Sequence, residues 1–346
     1  MLNLHTSNRL ETLARNLVET VQIPLSSPLQ PELIVVQSQG MARWLKLQLA
    51  RHLGIYSNCE CPFPRAISYS AFRAVLPDLP AEMLYDPEVL VWRVMKQLPA
   101  LLDEPGFEGL KNYLSPASDS RKLFQLADRI ANLFDQYLVF RPELVLEWEK
   151  GGGNHWQARL WREVSTLFRQ QHPAALKSRF LAQLDRADAP AAGLPERISI
   201  FGISALPPFY MRTFAALSRR VQVNLFLLEP CQEFWGYISS AREQEKTLKK
   251  QGKGASAAAE LHLEPCNRLL ASMGQLGRDF LHLVQDAGEW QETDTPLFVD
   301  PGEHTVLTCL QSDILNRLVN YARLGRPFLL PELGNYLTIN GYEHEN

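Results

Sequence analysis

The chain contains 346 residues and combines a hydrophobic composition with nearly balanced charge: 46% of the residues are hydrophobic, 10% are aromatic, and the formal net charge is −3 at pH 7. A chain of this length is expected to form about two domains, and its hydrophobic content excludes disorder as the default state. The pI near 6.3 excludes the strongly basic surface of many nucleic-acid-binding domains. Any contact with DNA therefore has to use a local channel rather than a global positive field.

Cysteine usage and the distribution of apolar residues predict the compartment. The chain has five cysteines and no C-x-x-C pair, which is typical of ordinary thiols in a reducing cytoplasm rather than of a disulfide framework. The apolar runs are too short to span a bilayer. His5 and Asn8 interrupt the first of them, so no secretory signal is expected. We therefore expect a soluble cytoplasmic protein with no membrane partner.

A strand–turn–helix unit opens the chain. A strand is predicted over 2–6, a polar turn over 7–9, and an amphipathic helix over 10–18. Asn8 and Glu11 have the spacing of a capping box at the start of that helix. A phosphate-binding loop at such a turn needs G-x-x-x-x-G-K-[ST], because glycines let backbone N–H groups surround the phosphates and the lysine neutralises them. This turn contains neither glycine nor lysine.

A second unit of the same kind follows. It comprises a predicted strand over 33–37, a turn over 38–40, and a helix from 41 that ends near Gly54. A short extended stretch over 59–64 comes next, because its prolines exclude helix. The second turn also lacks the lysine that a phosphate loop requires.

Other catalytic and metal-binding patterns are missing as well. After the strand predicted at 198–201 no Asp or Glu follows that could hold Mg²⁺, and the segment 202–204 lacks the G-x-S-x-G elbow of a nucleophilic serine. Cys59 and Cys61 have no histidine close after them, so zinc is not predicted. For His5, a bond to a neighbouring backbone group is favoured over a ligand role. We predict no catalytic, metal or cofactor residue in this chain.

A long helical block interrupts the α/β pattern. Residues 68–183 have helical periodicity punctuated by prolines, and the clearest helix runs from 118 or 119 to Arg141. Strand patterns return at 197–203 and, as a nearly continuous apolar run, at 221–228. This order predicts an α/β fold whose parallel-sheet core carries a large all-helical insertion. The predicted divisions are 1–67 (first part of the core), 68–194 (inserted helical domain), 195–325 (remainder of the core, with a mobile loop over 242–260 and helices over 267–284 and 305–324) and 326–346 (a C-terminal tail, possible truncation).

A binding surface is the chemistry that remains. Single strands are held by local positive charge, by amides that reach base edges and by aromatic rings that stack on bases. The second turn and its surroundings contain Gln37, Ser38, Gln39, Arg43, Phe63, Tyr69 and Trp92. The helix before Pro142 contains Asn132, Leu133, Asp135, Gln136 and, just after it, Arg141. Phe134 and Tyr137 follow the apolar stripe of that helix and are predicted to be core. Taken singly, each candidate type is more often a core or capping residue.

Seven segments, in order along most of the chain, carry a resemblance to a known family. They are 5–11 (HTSNRLE), 36–42 (VQSQGMA), 121–126 (RKLFQL), 133–139 (LFDQYLV), 201–208 (FGISALPP), 274–279 (GQLGRD) and 311–315 (QSDIL). The sequence resembles the gamma subunit of bacterial exodeoxyribonuclease V, the RecC family. The resemblance implies a degenerate superfamily 1 helicase-like core domain (1A-like) with a helical insertion (1B-like) and without ATPase residues.

The resemblance also implies partners and a DNA channel. The family's subunit joins a helicase–nuclease beta subunit (RecB-like) and a helicase alpha subunit (RecD-like), which would use ATP and Mg²⁺, in processing broken duplex ends. Its helicase-like part forms a channel for single-stranded DNA that recognises the Chi sequence. The channel positions that match the family are Gln37, Leu133, Asp135, Gln136 and Arg141. The equivalent positions with changed chemistry are Gln39 (threonine in the family), Arg43 (glutamine), Tyr69 (tryptophan), Asn132 (aspartate) and Phe63. Because base recognition depends on donor and acceptor patterns, these changes leave the recognised sequence open.

These observations lead to one main hypothesis and two alternatives. The main hypothesis is a non-catalytic DNA-binding and scaffold subunit of a RecBCD-type helicase–nuclease that acts in double-strand break repair by homologous recombination. The first alternative is a divergent ATP-dependent DNA helicase with an unorthodox loop. The second is a scaffold that only contacts its partner subunits.

Overall fold

The protein is described from a computed structural model. The structure describes residues 1–79, 84–115, 120–186, 193–238, 267–292, 297–302 and 304–316. The predicted mobile loop over 242–260 and the tail over 326–346 lie outside these residues. The described chain forms two compact units: the first contains Met1–Pro64, Pro195–Leu206 and the described residues from Ser218 onward, and the second contains the described residues of Arg65–Leu194 with Pro207–Leu217. The domain boundaries expected from the sequence stay a prediction.

A parallel β-sheet forms the centre of the first unit. Its strands are β1 (Leu2–Ser7), β2 (Glu32–Val35), β3 (Cys59–Glu60), β4 (Arg197–Phe201), β5 (Gln222–Leu228) and β6 (Gln291–Glu292). Their order is β3-β2-β4-β5-β1-β6, and every described pair is parallel. The apolar run of β5 lies between β4 and β1, with Leu225 opposite both Ile200 and Leu4. The predicted α/β class with a parallel sheet and a buried strand at 221–228 is therefore confirmed.

Helices connect the strands and form the second unit. They are α1 (Leu10–Gln22), α2 (Gln39–Leu53), α3 (Pro64–Val75), α4 (Pro87–Leu101), α5 (Glu108–Leu114), α6 (Ser120–Phe140), α7 (Pro142–Glu149), α8 (Trp156–Ser165), α9 (Pro173–Leu184), α10 (Pro208–Leu217), α11 (Arg268–Met273), α12 (Gln275–Ala287) and α13 (Val306–Leu315), with a 3-10 turn at Arg169–Gln171. None of the described helices combines the length and the apolar character needed to cross a membrane.

Three local predictions were wrong. The residue that caps α1 is Arg9, without a side-chain cap, so Asn8 and Glu11 form no capping box. Helix α2 already begins at Gln39, because Ser38 is its N-cap and its hydroxyl accepts a hydrogen bond from the N–H of Met41. The single helix predicted over 267–284 is two helices separated at Gly274, where a Cβ atom would lie 2.4 Å from the carbonyl oxygen of Leu270.

The core of the first unit lies between the sheet and helices α1 and α2. Leu13 and Leu17 on α1 and Leu45 on α2 are fully buried with Phe201 and Phe226 of the sheet. Each of these side chains contributes about 1.5–3 kcal/mol of hydrophobic stabilisation relative to an exposed position. Burial of these faces fixes where the turn after each strand presents its polar residues.

The core of the second unit is aromatic and centred on α6. Phe134 is fully buried, with its ring centroid 5.3 Å from that of Trp161 and 6.5 Å from that of Trp148, both in edge-to-face geometry. Tyr137 packs half-buried against the same cluster. Both residues were predicted as core from the spacing along the helix. The prediction is confirmed for Phe134, whereas Tyr137 lies half-buried at the edge of the core. The remaining face of α6 is therefore free to carry polar residues.

Candidate nucleic-acid interface

The polar side chains of the first turn are occupied by a later segment of the chain. The Ser7 hydroxyl donates a hydrogen bond of 2.7 Å to the carbonyl oxygen of Leu297 and accepts one of 3.1 Å from the N–H of Arg9. The Asn8 side chain donates to the carbonyl oxygen of Val299 at 2.8 Å and accepts from its N–H at 2.9 Å. These groups hold protein backbone at the point where a phosphate loop would hold phosphate.

An open cleft of about 610 Å³ adjoins this first turn. Its lining includes the segment from Asn8 to Glu11 and the residues after β5, among them Glu229. Two carboxylates, Glu11 and Glu229, lie there with the single guanidinium of Arg9. A phosphate group carries negative charge and is repelled by neighbouring carboxylates. The described residues of the lining therefore do not supply the positive charge that nucleotide phosphates require.

The second turn, in contrast, presents its polar side chains to solvent. Gln37 and Gln39 are exposed on either side of the capping residue Ser38. Arg43 and Lys46, also exposed, line a cleft of about 350 Å³ with Gln39 and Cys61. Residues three and four positions apart share one helix face, so α2 carries an amide, a guanidinium and an ammonium in one row. We call Gln37, Gln39, Arg43 and Lys46 the α2 surface.

Phe63 lies in the same unit, after the edge strand β3. Its side chain is 40% exposed. The segment is tied to the sheet by a hydrogen bond of 3.2 Å from the N–H of Val36 to the carbonyl oxygen of Pro62. Both β2 and β3 are parallel and end at the same edge of the sheet. Phe63 therefore follows the strand next to the one that leads into the α2 surface.

The C-terminal end of α6 carries a second exposed row, in the second unit. Asn132, Gln136 and Phe140 are exposed and four residues apart, a spacing that places them on one helix face. Phe140 is 61% exposed, and Arg141, exposed, follows as the N-cap of α7. We call these four residues the α6 surface. Phe140 was not among the residues predicted from the sequence, although its spacing from Asn132 and Gln136 was a usable signal.

Within this row, Asn132 and Arg141 differ in their contacts. The Asn132 amide donates a hydrogen bond of 2.8 Å to the carbonyl oxygen of Asp128, one turn earlier in its own helix. For Arg141 the described contacts are of the backbone, whose N–H donates to the carbonyl oxygen of Tyr137 at 2.9 Å. The guanidinium of Arg141 is thus exposed and makes no hydrogen bond or ion pair with any residue that the structure describes.

Asp135 is bound by an arginine that the sequence analysis did not single out. Arg65 on α3 donates two hydrogen bonds to the two carboxylate oxygens of Asp135, at 3.1 and 2.7 Å, and pairs with Asp86 at 3.1 Å. Burial raises the pKa of Asp86; Arg65 opposes this shift and Asp135 adds to it. The Asp135 carboxylate is therefore a member of an ion cluster rather than a free acceptor. Leu133, on the same helix, is half-buried.

Tyr69 lies on α3, one turn after Arg65, and its side chain is only 6% exposed. Its ring packs edge-on against Phe72 with centroids 5.9 Å apart. Burial raises the pKa of its phenol above the ordinary value, and its hydroxyl has no hydrogen-bond partner among the described residues. Trp92, another aromatic residue singled out from the sequence, is 62% exposed and lies beside Phe124 with ring centroids 5.9 Å apart.

The candidate residues thus divide between the two units. Gln37, Ser38, Gln39, Arg43 and Phe63 belong to the first unit; Tyr69, Asn132, Leu133, Asp135, Gln136 and Arg141 belong to the second. His5 is stacked on Phe226, with ring centroids 4.4 Å apart, and burial lowers the pKa of the His5 imidazole. Among the described residues, no three His, Cys, Asp or Glu side chains are grouped so that they could hold a metal ion.

The fold and the two surfaces define the class: an α/β protein with a parallel sheet, a helical second unit and exposed amide, cationic and aromatic side chains. The family model for the RecC N-terminal domain matches residues 2–317. The chain belongs to the RecC family, and the resemblance carried by the seven segments is confirmed.

Curated relatives bear the same family name. The chain is 38% identical to the RecBCD enzyme subunit RecC of Escherichia coli (strain K12), over 91% of this chain and 31% of the relative. It is 34% identical to the RecC subunit of Haemophilus influenzae, over 95% of this chain and 35% of the relative. For the RecC subunit of Mycolicibacterium smegmatis the identity is 27%, over 90% and 28%. The chain therefore spans about a third of the length of the curated relatives that it matches.

Proposed function

We propose that this chain is a non-catalytic, DNA-binding and scaffolding part of a RecBCD-type helicase–nuclease. In this proposal a helicase-like frame guides single-stranded DNA and contributes to recognition of a Chi-like sequence during repair of double-strand breaks by homologous recombination. The relatives named as RecC subunits of the RecBCD enzyme support the assignment to such a complex. The proposed partners are a RecB-like and a RecD-like subunit, single-stranded DNA and duplex DNA ends, in the cytoplasm.

One contrast carries the proposal. The side chains of Ser7 and Asn8 in the first turn are used to hold the backbone of residues 297–299. The α2 surface at the second turn and the α6 surface are exposed. A nucleotide-driven motor needs its first turn for phosphate, whereas a protein that guides a strand needs exposed amides, cations and aromatic rings. The described side chains suit the second task.

Each type of side chain has a definite part in the proposal. Gln37 and Gln136 offer amide donors and acceptors to base edges, which is the chemistry of sequence discrimination. Phe63 and Phe140 offer rings on which bases stack, worth about 1–3 kcal/mol per base. Arg43 supplies the positive charge that holds the phosphate backbone. We assign Asp135 the supporting task of pairing with Arg65, which joins α3 to α6. Tyr69 packs against Phe72, and we assign Leu133 and Ser38 the task of shaping their helices.

The proposal is tested by the affinity of the protein for fluorescein-labelled single-stranded DNA, measured by fluorescence anisotropy. Replacing Arg43 by alanine is expected to weaken binding, because an exposed cation of the α2 surface is lost. The matched control is Arg51→Ala, which removes an exposed arginine near the other end of the same helix. Equal affinities for both variants and the unmodified protein would count against DNA contact at the α2 surface and favour a pure scaffold.

The helicase alternative is separated by nucleotide titration. Trp44 on α2 is half-buried, with its ring centroid 6.2 Å from that of Phe201, so its fluorescence reports on the carboxyl edge of the sheet. We expect no saturable change on addition of ATP and Mg²⁺. A saturable, Mg²⁺-dependent change that is lost in a Ser7→Ala variant would favour a divergent ATP-dependent enzyme.

A further inference from the structure

Two cysteine thiols lie side by side at the edge of the sheet. The Sγ atoms of Cys59 and Cys61 are 3.8 Å apart. Residues two positions apart in an extended strand point to the same side, which is why the C-E-C sequence brings these thiols together on one side of Glu60. Both side chains are half-buried, whereas Cys231 is fully buried. The pair is therefore open to a small solute.

The surroundings of the pair favour ionisation of the Cys61 thiol over that of the Cys59 thiol. Cys61 lines the cleft that also contains Arg43 and Lys46. A hydrogen bond from Cys59 and the charge of Lys46 lower the pKa of Cys61 to about 7, although burial opposes them. The same hydrogen bond, together with burial, raises the pKa of Cys59. Cys61 is therefore ionised more readily than Cys59, and thiolates are the reactive form of cysteine.

The distance along the strand allows a covalent bond between the two sulfur atoms. Consecutive residues of a strand advance by about 3.3 Å, which places the Cα atoms of residues 59 and 61 about 6.6 Å apart. Disulfides join Cα atoms separated by about 4.4–6.8 Å, so this spacing lies at the upper limit of the range. Their Cβ atoms lie about 3.5–4.5 Å apart, so the strand has to bend for the bond to close. Because β3 is an edge strand that pairs only with β2 among the described strands, it can adjust without breaking a second ladder.

We propose that Cys59 and Cys61 form a redox-active dithiol that hydrogen peroxide converts into an intramolecular disulfide. The thiolate of Cys61 attacks one oxygen of the peroxide; an S–O bond forms, the O–O bond breaks, and the departing hydroxide takes up a proton to become water. The sulfur of Cys59 then attacks the sulfenic sulfur of Cys61. The S–S bond forms, the S–O bond breaks, and the hydroxyl group leaves as water with the proton of Cys59. The two thiols lose two electrons, and the peroxide is reduced to two molecules of water.

This modification would act next to the α2 surface. Cys61 shares its cleft with Gln39 and Arg43, and Phe63 follows two residues later. A disulfide would replace the negative charge of a thiolate by a neutral bond beside two cations, and would restrict the strand that leads to Phe63. The proposal concerns the thiols alone and does not depend on DNA binding.

The test is peptide mapping by mass spectrometry of the 346-residue protein after treatment with stoichiometric hydrogen peroxide and alkylation under denaturing conditions. The peptide that contains Cys59 and Cys61 is expected to lose two hydrogen atoms, to resist alkylation, and to accept two alkyl groups after reduction with dithiothreitol. Cys231 and Cys309 are expected to be alkylated with or without peroxide. A Cys309→Ser variant serves as the matched control and should behave as the unmodified protein does.

Single variants separate the two steps. In Cys59→Ser, the reaction should stop at a sulfenic acid on Cys61, which the reagent dimedone traps. In Cys61→Ser, peroxide consumption at Cys59 should be slower, because burial still raises the pKa of its thiol. The unmodified protein alone can overturn the proposal: full alkylation of both thiols after peroxide, or sulfinic acid on Cys61 beside a free Cys59, would show that no disulfide forms.

Discussion

The side-chain amide of Asn8 is paired with both backbone groups of Val299: it donates to the carbonyl oxygen at 2.8 Å and accepts from the N–H at 2.9 Å. This pairing mimics one rung of a β-ladder and joins two parts of the chain that are 291 residues apart. It replaces the capping role that its sequence position suggests. Asn8 lies where a phosphate-binding turn would begin, and its side chain instead binds the backbone of Val299.

Loss of the Asn8 side chain should release the segment 297–302. Each of the two hydrogen bonds is worth about 0.5–1.5 kcal/mol net, so Asn8→Ala is expected to lower the free energy of unfolding by about 1–2 kcal/mol. Hydrogen exchange measured by mass spectrometry should become faster in 297–302. The control is Asn154→Ala, an exposed asparagine of the second unit. Unchanged exchange in 297–302 would mean that other contacts hold the segment.

Removal of Arg65 should produce a pH-dependent loss of stability. Arg65→Met leaves the carboxylates of Asp86 and Asp135 without their shared cation, and breaking a buried ion pair costs about 3–5 kcal/mol. Because the three side chains are 20–34% exposed, solvent screening reduces the expected loss at pH 7 to about 1–3 kcal/mol. Urea unfolding measures this loss.

The direction of the pH effect follows from the raised pKa of Asp86. A carboxyl group whose pKa is higher in the folded state binds its proton more tightly there, so the folded state gains stability as the pH falls towards the ordinary value of about 4. Without Arg65 the pKa should rise further, and the deficit of the variant should shrink between pH 7 and about 4.5. Arg73→Ala, an exposed arginine on the same helix, should show no such trend. A deficit that is constant or grows on acidification would contradict the ion-cluster account.

Two phenylalanines of α6 should have opposite effects. Phe134 is fully buried and Phe140 is exposed. Phe134→Ala is expected to cost about 3–5 kcal/mol of stability through the cavity it leaves. Phe140→Ala should leave stability within about 0.5 kcal/mol but weaken single-stranded DNA binding by about 1–3 kcal/mol. Urea unfolding and fluorescence anisotropy measure the two quantities. Unchanged DNA affinity in Phe140→Ala would remove this ring from the proposed interface.

The exposed guanidinium of Arg141 should contribute to binding of single-stranded DNA. Arg141→Ala is expected to weaken this binding, and the salt dependence shows which contact is lost. Loss of a phosphate contact makes the slope of log K against log salt less steep by about 0.7 and weakens binding to all sequences equally. Loss of a contact to a base edge weakens binding by about 1–3 kcal/mol at preferred sequences. Arg73→Ala is the control, and equal affinity of both variants at all salt concentrations would make Arg141 a helix-end cation only.

Local patterns were sufficient to predict most of the secondary structure. The apolar spacing of Leu13 and Leu17 located α1, the continuous apolar run at 221–228 located the interior strand β5, and Pro142 marked the end of α6. The break between α11 and α12 was not predicted, because it depends on Gly274 lying against the carbonyl of Leu270 and the ring of Trp235, and a helical pattern continues through it.

Contacts between distant residues account for what the sequence could not show. The residue types of the α2 and α6 surfaces were recognisable, since their spacing along helices determines exposure. The pairing of Arg65 with Asp135, 70 residues apart, and that of Asn8 with Val299 depend on how the units fold. The same holds for the burial of Tyr69, whose spacing on α3 is compatible with either face.

The central proposal is that a helicase-like frame guides unpaired DNA without using nucleotide at its first turn. Photocrosslinking tests this most directly: single-stranded DNA that carries 4-thiothymidine is irradiated with the protein in the presence of the proposed RecB-like and RecD-like subunits, and the adducts are mapped by mass spectrometry. We predict adducts on the α2 surface or Phe63 and on the α6 surface, with or without ATP. Adducts confined to other regions, or adducts on these surfaces only when ATP is bound at residues 7–9, would contradict the account.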